Sequence, residues 1–130
     1  MPKGYSIDHL DPVNPGDPSK PTRQWQFGFG QGMHQITFYT RRAGCDFGGH
    51  VHNGEDPSKN PELLLLVSGE MEVKFLGLDG ETEVVTVKAW DCLTIEPGVK
   101  HWMKALTDVT IVEPRRRHFD QAHPDTVLCE

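Results

Sequence analysis

Two imidazoles stand at i and i+2 in Gly49-His50-Val51-His52. Residues two apart on an extended strand project to one face, so His50 and His52 would offer their nitrogens side by side, at chelate spacing. Such a pair also arises by chance on surfaces, and its meaning rests on partners. Glu62 opens the apolar run Leu63 to Val67, a costly place for a carboxylate unless it meets a cation, hydrogen-bond donors or the water at a strand edge. His101 follows Pro97-Gly98 and begins a strand-like segment, with Met103 and Ala105 on its own face and Trp102 and Lys104 on the other. Alone it reads equally well as a hydrogen-bonded core histidine. Together the four side chains supply three neutral nitrogens and one carboxylate, a set that suits Fe(II), Mn, Co, Ni or Zn better than Mg or Ca.

The elements that must position these donors read as strands. The chain carries thirteen Gly and ten Pro, and no stretch repeats apolar residues at helical spacing for the length of a good helix. Short apolar segments run over 25–29, 33–41, 62–67, 71–76, 84–90, 92–95, 101–106 and 109–113, which predicts an all-β sandwich or barrel. Met71, Val73 and Phe75 alternate with Glu72 and Lys74, the period of a sheet with one wet face. Leu63 to Leu66 does not alternate and is expected to be covered on both faces. Ser68-Gly69 and Asp79-Gly80 are turn signals, each expected to join two paired strands. Residues 1–24 hold five prolines and form an extended N-terminal arm, residues 25–113 the β-domain, and residues 114–130 a C-terminal tail.

Composition narrows the function. A chain of 130 residues has room for one ordinary domain. Thirteen Lys and Arg against nineteen Asp and Glu give a net charge of −6, which argues against nucleic acid as a partner. The longest apolar run is far shorter than the roughly 20 residues of a membrane span, and the N-terminus lacks a signal-peptide core, so a cytoplasmic protein is expected. Cys45, Cys92 and Cys129 fit reduced thiols, and Cys92 reads as a small buried hydrophobe. Arg115, Arg116 and Arg117 read as a solvated surface or a subunit contact.

The sequence resembles the cupin superfamily, whose first motif reads G-x5-H-x-H-x3-4-E-x6-G; Gly44, His50, His52, Glu62 and Gly69 occupy those places. The second motif, G-x5-P-x-G-x2-H-x3-N, is matched at Gly98 and His101, while Trp90, Glu96 and Ala105 replace its first Gly, its Pro and its Asn. The resemblance implies a double-stranded β-helix, or jelly roll, with a divalent metal held in the barrel mouth by His50, His52, Glu62 and His101. Nine residues, Asn53 to Pro61, separate His52 from Glu62 where the family has three or four, so Glu55 competes with Glu62 as the carboxylate ligand. Glu62 is preferred for its spacing to Gly69. Trp90 at a turn usually given to Gly implies a reshaped turn or a side chain packed across the barrel.

A four-ligand centre with one or two open positions suits an enzyme acting on a small organic molecule, with a dioxygenase using Fe(II) first, an isomerase or lyase using Mn, Ni, Co or Zn second, and a non-catalytic binding protein as the rival. The strand 33–42 offers His34, Phe38 and Arg42 on one parity and Gln35, Tyr39 and Arg41 on the other. His34, Tyr39 and Arg41 are the candidates to move a proton or clamp a carboxylate. Trp25, Phe27, Phe29 and Trp102 are candidates to line an apolar cavity. The resemblance also implies a homodimer, to which the Pro-rich arm could contribute.

Overall fold

The computed structural model describes residues 23–28, 35–117 and 125–129. The Pro-rich arm up to residue 22, the candidates Phe29 and His34, and the side chain of Phe27 lie outside them. Ten strands follow in order: β1 (Arg23–Gly28), β2 (Gln35–Arg41), β3 (Asp46–Val51), β4 (Glu62–Ser68), β5 (Glu70–Leu76), β6 (Thr82–Lys88), β7 (Cys92–Ile95), β8 (Lys100–Ala105), β9 (Val109–Arg115) and β10 (Val127–Leu128). Among the described residues there is no helix.

The strands form two five-stranded sheets, ordered β1-β2-β9-β4-β7 and β10-β3-β8-β5-β6, with every pairing antiparallel. β9 lies between β2 and β4, and β8 between β3 and β5, so strands distant in sequence are neighbours in each sheet. Alternation explains the core. Leu64, Leu66 and Ile111 from one sheet and Met71, Val73 and Met103 from the other are buried, while Glu72 and Lys74 face water.

Three expectations change at this level. In β4, Glu62, Leu64 and Leu66 are buried but Leu63, Leu65 and Val67 only half-buried, so one face packs fully and the other is partly covered. Asp79-Gly80 joins the paired strands β5 and β6, whereas Ser68-Gly69 carries the chain from one sheet to the other. At Gly69 φ is +87° and an added Cβ would lie 2.1 Å from the Asp108 carbonyl oxygen, so that crossing admits no side chain. Trp90 itself takes the left-handed turn at φ 74°, and at 72% exposed it does not pack across the barrel.

The tail segment contributes structure. Val127 and Leu128 pair with Val51 and His50 on β3, and β9 runs on to Arg115. Cys92 is exposed rather than buried, because it stands at the start of β7 on the parity opposite Ile95.

Candidate metal centre

His50 sits near the end of β3 and His52 just beyond it. The Gly48-Gly49 pair has positive φ, and the β3–β8 register shifts between Gly48 and His50. A Cβ at Gly48 would stand 3.2 Å from the His101 carbonyl oxygen. A bulge of this kind re-aims side chains at a site, and here it turns the H-x-H segment toward His101 on β8. The ring centroids are 4.7 Å apart for His50 and His52, 4.5 Å for His50 and His101, and 5.4 Å for His52 and His101.

Glu62 enters from the first residue of β4 in the opposite sheet. One donor atom from each of His50, His52, Glu62 and His101 lies within 4.8 Å of every other, and all but His50 are buried. Glu55 is exposed and outside the cluster.

The protonation pattern follows from the hydrogen bonds. His52 Nδ1 lies 2.6 Å from the Asp125 carbonyl and His101 Nδ1 3.1 Å from the Val99 carbonyl. A carbonyl only accepts, so each Nδ1 carries the proton and each Nε2 turns a lone pair inward. His52 Nε2 is then 3.3 Å from one Glu62 oxygen and His101 Nε2 3.4 Å from the other. His52 Nε2, His101 Nε2 and Glu62 Oε1 are buried with no hydrogen-bond partner. Acceptors facing acceptors at this range repel unless a cation lies among them, so the donor set fits a divalent transition metal. Burial, with His101 and His52 close by, pushes His50 down to about 4, and burial likewise lowers His101. Both histidines are therefore neutral, ligand-ready bases at physiological pH. Burial opposes ionisation of Glu62, yet the charge and hydrogen bond of Lys59 prevail and hold its carboxyl below the usual range.

A charged network lies behind these donors. Lys59 Nζ donates to Glu62 and, at 2.7 Å, to Glu113. Arg115 donates to Glu113 at 3.1 Å and pairs with Asp56. Tyr39 donates its hydroxyl to Glu113 at 2.9 Å; burial, then the Glu113 charge, raise its pKa well above the ordinary value, so the proton stays on the phenol. The two carboxylates overcome burial and keep Lys59 charged.

The 53–61 segment supplies two members of this network, Asp56 and Lys59. Asp56, Ser58 and Lys59 are buried, and the Asp125 carboxylate accepts the backbone N–H groups of Asn53, Gly54 and Asp56 at 2.9 to 3.0 Å. Arg115 is thus an internal ion-pair residue rather than a surface one; only its neighbours Arg116 and Arg117 are exposed.

A cavity of about 250 Å³ opens beside the cluster, lined by His50, His52 and Glu62 and by Tyr39, Arg41 and Phe47. Tyr39 and Arg41 share the inward parity of β2 with Thr37, while Arg42 is exposed. Trp102 is not among the lining residues: it lies on the outer face of β8, with Lys74 Nζ 5.5 Å from its ring centre. The cavity is not lined by Trp25 either. Sequence reasoning missed Lys59, Glu113, Arg115 and Asp125. Glu113 and Arg115 continue the inward parity of Val109 and Ile111, a legible signal; Lys59 and Asp125 sit in loops and had none.

No protein-family model and no curated protein matches the chain, but solved structures do. The capsular polysaccharide assembling protein CapF from Staphylococcus aureus superposes with a TM-score of 0.72 at 20% identity, covering 100% of this chain and 37% of that one. Oxalate decarboxylase from Bacillus subtilis gives 0.66 at 13%, over 96% of this chain and 33% of that one. The Drosophila melanogaster CENP-C cupin domain gives 0.60 at 12%, over 88% and 84%. The chain spans about a third of the length of CapF. With its two antiparallel sheets and these neighbours, the chain has the cupin fold.

Proposed function

We propose that this chain is a small metal-dependent enzyme acting on a small organic molecule, with His50, His52, Glu62 and His101 as the metal ligands, and that with Fe(II) its reaction is an oxygenation. The observation that carries the reading is the set of buried, unpartnered Nε2 and Oε atoms facing one another beside a cavity. A structural metal is closed off by its protein ligands, whereas three of these four residues line open space. A bound divalent ion supplies Lewis acidity and, as Fe(II), electrons for dioxygen. The chain's own residues do the rest. Asp125 and Val99 fix the tautomers of His52 and His101, Leu64, Met103 and Ile111 form a dry wall, and Tyr39 holds a proton at its hydroxyl.

The Tyr39, Glu113 and Lys59 chain favours a second reading, an isomerase or lyase that moves a proton, with Mn, Co, Ni or Zn. The Mn(II) centers of Bacillus subtilis oxalate decarboxylase, a fold neighbour, are consistent with it. Untagged protein expressed with Fe, Mn, Co, Ni, Cu and Zn in the medium tests both readings by elemental analysis and oxygen uptake with catechols, diketones and thiols. Near one equivalent of Fe with substrate-dependent uptake supports the oxygenase. Another divalent ion without uptake moves the reading to proton transfer, and no metal after reconstitution overturns the centre. The protein is further proposed to act as a homodimer, which light scattering checks.

A further inference from the structure

The cavity's cations are unequal. Lys59 is held between Glu62 and Glu113, and Arg115 between Glu113 and Asp56, which Arg117 also approaches at 3.4 Å. Three carboxylates thus face three cations. Arg41 differs: among the described residues its side chain meets the Thr40 carbonyl at 2.9 Å and two aromatic rings, and no carboxylate. Its guanidinium carbon lies 5.3 Å from the Tyr39 ring centre and 5.4 Å from that of Phe47, within cation–π range of both. The Tyr39 ring is in turn anchored by its hydroxyl bond to Glu113. The guanidinium is therefore pre-positioned, half-buried, and lines the same cavity as His50, His52 and Glu62. A planar fork in this setting is matched by a bidentate carboxylate.

We propose that Arg41, held between Tyr39 and Phe47, is a carboxylate-binding subsite, and that the molecule taken into the cavity is a small organic acid whose carboxylate docks on Arg41 while its other end faces the histidine cluster. The proposal rests on the metal-centre reading for the second contact alone. Size agrees: about 250 Å³ lies below the roughly 300 to 1,000 Å³ of drug-sized pockets, so the occupant is small. Charge agrees as well, because Lys59 and Arg115 are held against Glu62, Glu113 and Asp56, while Arg41, with no carboxylate on it among the described residues, presents its positive charge to the cavity.

The test compares acids with their amides. Protein loaded with Co(II) is titrated with 3,4-dihydroxybenzoate and 3,4-dihydroxyphenylacetate, which place the carboxylate at two reaches, and with the corresponding amides, read by the visible Co(II) spectrum and by calorimetry. Metal-free protein is titrated with benzoate and benzamide. The expected result is a preference for acid over amide of roughly 10- to 100-fold, the range for hydrogen bonds to a charged partner. R41M removes that preference by lowering acid affinity far more than amide affinity, and R41K, which keeps the charge but not the fork, retains part of it. Circular dichroism checks that both variants keep the sheet. Equal binding of acids and amides by wild type, or an undiminished preference in R41M, overturns the subsite. Failure of the metal reading looks different: no Co(II) is taken up, yet benzoate still binds metal-free protein better than benzamide, and does so only with Arg41 present.

Discussion

Asp125 joins the C-terminal segment to the centre twice over, which makes D125N an informative perturbation. Its carboxylate accepts the N–H groups of Asn53, Gly54 and Asp56, and its carbonyl accepts the His52 Nδ1 proton. The residue sits at φ 49°, a conformation asparagine tolerates better than alanine does, so D125N keeps the backbone and removes the charge and one acceptor oxygen. One oxygen serves Asn53 and the other serves Gly54 and Asp56. The amide can satisfy one side only, so one or two charge-assisted bonds are lost. At roughly 1 to 1.5 kcal/mol each in this half-buried setting, the loss is about 1 to 3 kcal/mol, which lowers Tm by roughly 4 to 12 °C for a chain of this size. The freed loop carries Asp56 and Lys59, and Lys59 holds Glu62. Metal affinity should therefore fall by about 10- to 100-fold, as when an outer partner of a ligand is removed. D125A should cost about 2 to 4 kcal/mol more, through the loss of the remaining one or two hydrogen bonds and roughly 1 kcal/mol of backbone strain. Differential scanning calorimetry and competition titration against a chelator read the two quantities. A drop in Tm with unchanged metal affinity would refute the coupling between this segment and the centre.

Three further outcomes follow from particular residues. H50A should abolish stoichiometric metal uptake with little change in far-ultraviolet circular dichroism, measured beside elemental analysis, because His50 is a half-buried residue at a strand end. In metal-free protein His50 has a folded pKa of about 4 against an ordinary 6.5, so the unfolded chain binds the extra proton between these values. Stability is then level above pH 6.5 and falls as pH drops toward 4, by on the order of 2 kcal/mol once solvent screening is allowed for; urea titrations at pH 7 and 4.5 check the sign. W90G should raise Tm slightly, since relief of a left-handed backbone, roughly 1 to 2 kcal/mol, exceeds the roughly 0.5 to 1 kcal/mol entropy cost of glycine, and the exposed indole forfeits little burial.

Much of the barrel was legible because strand periodicity is local. Met71, Val73, Glu72 and Lys74 declare their faces within a few residues, and Asp79-Gly80 declares its hairpin. Which strands pair is another matter: β9 between β2 and β4, and Ser68-Gly69 crossing between sheets, depend on contacts far apart in sequence that no local pattern encodes. The inward parity of β2 was undecided for a similar reason. Its two faces carry comparable residues, and only the pairing with β9, Thr37 opposite Glu113 and Tyr39 opposite Ile111, decides the matter.

The four clustered donors were visible in the sequence because each is a chemically unusual residue at a strand position, but the residues that support them were not, and the difference is physical. Lys59, Asp56 and Asp125 are ordinary loop residues by composition; Lys59 and Asp56 are buried and Asp125 is half-buried because each meets an opposite charge or a set of backbone N–H groups supplied from more than fifty residues away. A buried charge costs several kcal/mol unless such a partner exists, so burial and partner are specified together or not at all. Arg115 shows how this could be anticipated. It shares with Glu113 the parity of Val109 and Ile111, where a charge facing the core needs a countercharge, and the enlarged loop between His52 and Glu62 was the segment with acidic and basic residues free to supply one. The insertion that looks like a departure from the family spacing is thereby the element that neutralises β9 and holds Glu62 toward the histidines.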